Sequence, residues 1–177
     1  LGDPIIARDT LEIFKYFRKH NPNMWLSMNT NAGARNNTWW QELADVFGSN
    51  GNVIFSVDGL QDTNHIYRQG VSWKAVERSM DAFIEAGGRA RWDFLIFEHN
   101  QHQVEEAKAL SEQKGFETFA AKKTGRFIKS KGIPKDNHKF GDKSLNKPDP
   151  KYINSALATQ DKVIEKYGSM VDYFNNT

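Results

Sequence analysis

An α/β fold built on a parallel sheet is predicted for this chain of 177 residues from three observations. Apolar, β-branched runs alternate with amphipathic helical stretches. Each run ends in small polar residues and glycine. A helical stretch, not a tight turn, separates one run from the next. Strands joined in this way are parallel, with right-handed helical crossovers. A barrel and an open sheet both fit the order, and in both the ligand sits at the carboxyl ends of the strands.

The elements follow in order. Asp9 is placed to cap a helix, with Glu12 three residues on as its partner; Leu11, Phe14 and Phe17 line one face, and Asn21-Pro22 ends it. Met24 to Asn31, MWLSMNTN, reads as a strand with a polar tip. Thr38-Trp39-Trp40-Gln41 has the pattern of a capping box, and its helix runs to Gly48. NVIFSVDG, Asn52 to Gly59, is the next strand. Ser72 heads a third helix with Trp73, Val76, Met80, Phe83 and Ile84 at helical spacing, stopped by Gly87-Gly88. Ala90 to Phe97 is a strand. Asn100 caps the helix through Val104, Ala107 and Leu110, closed by Gly115, and Phe116 to Lys122 is the last strand.

After Lys122 the alternation stops. Gly125, Gly132, Pro134, Gly141, Pro148 and Pro150 stand among lysines, as in a long loop or linker. Ile153, Ala156, Leu157, Val163, Ile164 and Tyr167 then mark one amphipathic helix. The organisation is a core over 1–124, a basic loop or linker over 125–151, and a helix and tail over 152–177.

Composition narrows the function. Residues 122–151 carry ten basic residues against three acidic ones, while the rest of the chain is net acidic. No apolar run reaches the length of a membrane span, no signal peptide opens the chain, and a cytoplasmic protein is expected. Cysteine is absent, which excludes disulfides, thiolate zinc sites and cysteine-held clusters within this chain. Glu98, His99 and His102 have the spacing of a metal site, but a helix cap with solvent-facing histidines is favoured because three or four convergent ligands are needed. Trp39, Trp40, Trp73 and Trp92 sit at helix and strand positions that suit a core.

The strand tips gather Gly2-Asp3-Pro4, Thr30-Asn31, Ser56 with Asp58 and Gly59, Glu98-His99-Asn100, and Lys122-Lys123-Thr124. Hydroxyls, amides and exposed backbone suit a polar, zwitterionic or nucleotide-like ligand, and Arg68 offers a fork for a carboxylate. Local roles compete: Ser56 and Asp58 also suit a turn before Gly59, Asp3 a turn before Pro4, and Arg68 a surface ion pair.

Taken in order, GDP at Gly2–Pro4, MNTNAG, FSVDGLQDTNHIYR, and the helix-strand-helix run from Val76 to Phe116 resemble the radical S-adenosylmethionine (radical SAM) superfamily. The likeness is closest to the branch that carries a twitch or SPASM tail, and it covers about residues 1–122. It implies a partial (β/α) barrel truncated at the N-terminus. It implies that Gly2, Asp3 and Pro4 lie along the methionine amino group, mainly through backbone, and that Ser56 and Arg68 hold the carboxylate or ribose side. Thr30, Asn31 and Asp58 join the cofactor-binding set. S-adenosylmethionine and a [4Fe-4S] cluster are the implied cofactors of the whole enzyme.

The family's three-cysteine loop precedes the residue equivalent to Gly2, and the cysteines of a twitch or SPASM tail follow residue 122. This chain contains neither and cannot hold the cluster. It is therefore expected to be an inactive fragment, completed by a cluster-binding segment and a twitch or SPASM segment. The parent enzyme is expected to act by hydrogen-atom abstraction on a peptide or protein, or to activate another enzyme. A homodimer through the truncated edge is expected. Two other readings stay open: a barrel aldolase or phosphate-binding enzyme, with Lys122 as its lysine, and a nucleic-acid-binding module using 122–151.

Overall fold

A computed structural model describes residues 2–124, 126–127, 137–140, 143–152 and 168. The chain divides into two compact units: Leu1–Phe94 with Gln103–Ala121, and Leu95–His102 with Lys122–Thr177. The amphipathic helix expected over 152–177 lies outside the described residues.

In the first unit the predicted alternation is present. A 3-10 turn at Pro4–Ile6 leads into α1 (Thr10–His20), β1 (Leu26–Thr30), α2 (Asn37–Phe47), β2 (Gly51–Ser56), a short α3 (Asn64–Tyr67), α4 (Trp73–Glu85), β3 (Ala90–Ile96), α5 (Val104–Lys114) and β4 (Thr118–Lys123). The four strands form one parallel sheet in the order β1-β2-β3-β4. Thr30 pairs with Phe55 and Phe55 with Trp92, so sequential strands are neighbours.

Register and periodicity sort the sheet into two faces. Met28, Val53, Phe55 and Trp92 are buried on the helix side. Trp40 of α2 and Phe83 of α4 meet Phe55 with ring centroids 5.7 and 5.9 Å away, and Phe116 closes on Phe55 at 5.7 Å. Most of these pairs are edge-to-face or tilted, the arrangements the ring quadrupole favours. The buried indoles keep their N–H groups satisfied: Trp40 donates to the Ala34 carbonyl at 3.1 Å and Trp92 to that of Val57 at 2.9 Å. Trp39, Trp40 and Trp92 are thus core, and Trp73 is half-buried.

The opposite face is polar. Ser27 and Asn29 of β1, Asn52 and Ser56 of β2, and Arg91 and Asp93 of β3 share it, with Ile54 among them. Ser27 donates to the Asn52 side chain at 2.8 Å. Parallel sheets covered by helices on both faces are apolar on both; a polar second face is the pattern of a sheet that lines a site.

Three caps differ from the sequence expectation. At α2 the cap is Asn36, whose side chain accepts from the Trp39 N–H at 3.0 Å, two residues before Thr38. Arg35 at φ +75° turns the chain so that Asn36, extended, can reach back. Asp9 heads α1 without a side-chain cap bond; Thr10 instead donates to the Pro4 carbonyl at 2.5 Å, tying the helix start to the first turn. At α5 the cap position is Gln103, after a 3-10 turn at Gln101–Gln103. Asn100 is buried and spends its amide locally, accepting from Phe97 N–H at 2.7 Å and donating to Leu95 O at 2.9 Å.

Arg18 on α1 staples the end of the sheet away from the strand tips. Its guanidinium donates to the carbonyls of Val46, Phe47 and Asn50 at 2.8, 2.9 and 3.1 Å, and to those of Pro22 and Met24 at 2.5 and 3.0 Å. A cation there satisfies the orphan carbonyls at the α2 C-terminus and complements its dipole. Arg18→Met, which keeps the stem and removes the donors, is expected to destabilise the protein by about 2 kcal/mol, because hydrogen bonds from a charged donor are the stronger kind. Urea denaturation checks this.

In the second unit, Phe97 stacks on His99 and meets Phe127 edge-on at 6.1 Å. The basic segment expected as a loop contains an antiparallel pair, β5 (Asn137–Phe140) with β6 (Lys143–Asn146), and Leu145 is buried. Glu98 accepts from the Asn146 amide at 2.7 Å. The glycines and prolines of this segment punctuate a hairpin as readily as a linker, and the lysines mask its short alternation. No helix among the described residues is long and apolar enough to cross a membrane.

Candidate functional site

At the carboxyl ends of β1 and β2 a pocket of about 280 Å³ is lined by Gly2, Asp3, Pro4, Asn29, Thr30, Asn31, Ser56 and Arg68. Seven of the eight residues singled out in the sequence line it, drawn from four separate stretches of chain. The eighth, Asp58, stands behind the wall. Asn29 is the residue the sequence reasoning missed. Its signal was there: in LSMNT, alternation puts Leu26, Met28 and Thr30 on the buried face and Asn29 on the other.

Asp3 acts as a clasp between the first turn and the β1 tip. One carboxylate oxygen accepts from Ile5 N–H at 3.2 Å and from the Thr30 hydroxyl at 2.8 Å; the other accepts from Asn31 N–H at 2.6 Å. Thr30 in turn accepts from Ala32 N–H at 3.0 Å, and Asn31 from Gly33 N–H at 2.9 Å. Ala32, buried at φ +60°, sits in the left-handed region that this tight turn imposes. A Cβ at Gly33 would stand 2.9 Å from a methyl of Val71, so the turn needs glycine there. The acid at position 3 thus builds the rim, where the carbonyls of Asp3 and Pro4 accept from Ile6 and Ala7 N–H within the turn.

Arg68 is held from behind. Asp58, 1% exposed, takes one terminal nitrogen at 2.6 Å, and the guanidinium lies 5.1 Å over the Tyr67 ring. Asn64 braces both ends of the loop: its side chain accepts from Asp58 N–H at 3.1 Å and its carbonyl from Arg68 N–H at 2.8 Å. The Nε of Arg68 is buried without a hydrogen-bond partner among the described residues. A buried, unpaired donor of a guanidinium is costly unless a ligand meets it. Among the described residues, Asn29 and Ser56 likewise enter no side-chain hydrogen bond. The pocket therefore offers a fixed cation, a hydroxyl and an amide, beside a carboxylate whose bonds are already filled. That set suits a polar ligand carrying its own carboxylate.

Glu98, His99, Asn100 and Lys122–Thr124, the other strand tips singled out, belong to the second unit or its boundary and do not line this pocket. Among the described residues, no group of three or more His, Cys, Asp and Glu side chains could hold a metal ion. Lys122, the lysine a Schiff-base enzyme would require, is exposed.

No family model and no curated protein matches the sequence. Solved structures do match the fold. SuiB of Streptococcus suis aligns with a TM-score of 0.62 at 16% identity, over 78% of this chain and 31% of its own. SuiB bound to S-adenosylmethionine aligns at 0.57 and 17% identity, over 67% and 27%. Native anSMEcpe with bound AdoMet, the same compound, aligns at 0.56 and 20% identity, over 74% and 38%. The chain thus spans about a third of the length of these proteins. At such identities the likeness establishes the fold, which agrees with part of the barrel expected of a radical SAM core.

Proposed function

We propose that this chain carries the S-adenosylmethionine-binding part of a radical SAM enzyme, and that the pocket at the β1 and β2 tips receives the cofactor's methionine and ribose. The observation that carries the reading is the convergence of Gly2–Pro4, Thr30-Asn31, Ser56 and Arg68 on one pocket. Arg68 takes the methionine carboxylate through its unused edge, with the partnerless Nε as one donor. Along the Gly2–Pro4 backbone the Gly2 carbonyl accepts from the ammonium group, those of Asp3 and Pro4 being engaged within the turn. Ser56 and Asn29 hydrogen-bond the carboxylate and ribose hydroxyls. Asp58 and Asp3 position: the first fixes the guanidinium, the second the rim.

The iron-sulfur cluster does not fit the residues present. Its iron needs thiolates, and the chain has none. No step through a cluster is assigned to this chain. Its own part is to bind and orient the sulfonium, and the hydrogen-atom abstraction belongs to the whole enzyme, with a peptide or protein as substrate. Twitch or SPASM character, a cluster-binding segment as partner and a homodimer stand as parts of the same proposal.

Calorimetric titration with S-adenosylmethionine tests it. Saturable binding to the wild-type chain is expected, weakened about fivefold in Ser56→Ala, the loss of roughly one neutral hydrogen bond. No heat from the wild-type chain up to millimolar ligand would reject the assignment.

A further inference from the structure

The floor of the pocket continues across the sheet. Ser56, which lines the pocket, pairs in register with Asp93, and Asn29, also in its lining, shares a rung with Ile54 and Arg91. Adjacent strands are about 4.8 Å apart, so Asp93 lies one strand from Ser56 and Arg91 two strands from Asn29. All lie on the polar face away from the helices. Arg91 Nε meets Asp93 at 2.7 Å; the Asp93 side chain is 9% exposed and that of Arg91 38%. Among the described residues the two terminal nitrogens of Arg91 have no partner.

This arrangement spends the side edge of the guanidinium on an almost buried carboxylate and leaves its end edge open. Pinning an arginine costs rotamer entropy that a half-exposed ion pair scarcely returns. A guanidinium with one edge fixed and the other presented beside a ligand pocket is instead organised for a second carboxylate. Arg91 itself is near the start of β3, and the stagger of the register is what brings it level with the carboxyl end of β1.

We propose that Arg91, oriented by Asp93, anchors a carboxylate of the substrate next to the S-adenosylmethionine pocket. Calling that ligand the substrate rests on the function proposed above; the carboxylate site itself does not. The carboxylate is that of a free small acid or of an acidic side chain in a peptide, and two probes distinguish the sources. Succinate and an end-blocked peptide with a single glutamate are titrated separately into the wild-type chain, with and without S-adenosylmethionine. The readout is the heat of titration for every chain, with the NMR signal of the Arg91 Nε–H as a second readout in the wild type.

A saturable shift is expected with one probe or both, absent when glutamine replaces the glutamate. Arg91→Lys, which keeps the charge but not the fork, is expected to weaken binding about tenfold, and Arg91→Gln to remove it. S-adenosylmethionine binding should stay intact in both. Neither probe shifting the signal, or Arg91→Lys binding as wild type, would overturn the proposal. Failure of S-adenosylmethionine to bind the wild-type chain would count against the cofactor assignment instead, so the two failures are separable. Should Arg91→Gln not fold, Arg91→Lys alone decides.

Discussion

Arg68→Gln is expected to destabilise the protein by about 3 kcal/mol and to abolish S-adenosylmethionine binding. Adding Asp58→Asn should restore much of the stability and none of the binding. Asp58 is almost wholly buried and its ion pair is with Arg68 at 2.6 Å. Removing one member of a buried pair strands the other charge, which costs about 3–5 kcal/mol; the low end applies because the Arg68 side chain is 26% exposed. Replacing both members with neutral amides removes the stranded charge. The lost fork is not recovered, so a carboxylate ligand has no cation to meet. Denaturant melts of the two single variants and the double variant give the coupling energy, and calorimetry gives the binding. Wild-type affinity in Arg68→Gln would show that the pocket does not use this cation.

Gly59→Ala is expected to cost about 3 kcal/mol, with the same loss of binding. Gly59 has φ +143°, a region essentially closed to side chains, and a Cβ there would stand 2.7 Å from the Asn64 backbone nitrogen and in collision with the Thr63 hydroxyl. Thr63 accepts from Leu60 N–H at 3.2 Å and pairs with Gln103, which also donates to Asp62 at 2.6 Å. Displacing Asn64 therefore disturbs the brace between Asp58 and Arg68. Gly70→Ala is the control. Its φ is +76°, but no atom lies within 4 Å of the new methyl, so only conformational strain of about 1 kcal/mol is expected. Thermal melts that rank the two variants equally would show that crowding at Gly59 adds nothing.

Much of the first unit was legible because its signals are local. The runs around Met28 and Phe55 and the 3.6 period of α4 specify element type directly, and the order of elements specifies parallel pairing. Ser56 and Arg68 were legible because a polar residue ending an apolar run needs a reason. What was not legible depends on distance. Arg18 looks like an ordinary helix cation until the fold brings the carbonyls of Val46 and Asn50 to it. Asp3 looks like a turn residue until β1 puts Thr30 and Asn31 beside it. The cap at Asn36 was hidden by a stronger-looking pattern at Thr38, because the left-handed backbone at Arg35 leaves no mark in composition. Arg91 lies inside the run read as a strand and drew no notice, although the register places it on the face of Asn29.

The clasp at Asp3 has a kinetic consequence. It spans 27 residues to Thr30, and Arg68 must arrive from further still, so the cradle closes only after β1 and β2 have zipped and the loop to Tyr67 has settled. Contacts of long sequence separation carry loop-closure entropy and mature late. A refolding chain should accordingly regain its ellipticity before it regains the binding proposed for the cradle, and that lag would time the final closure.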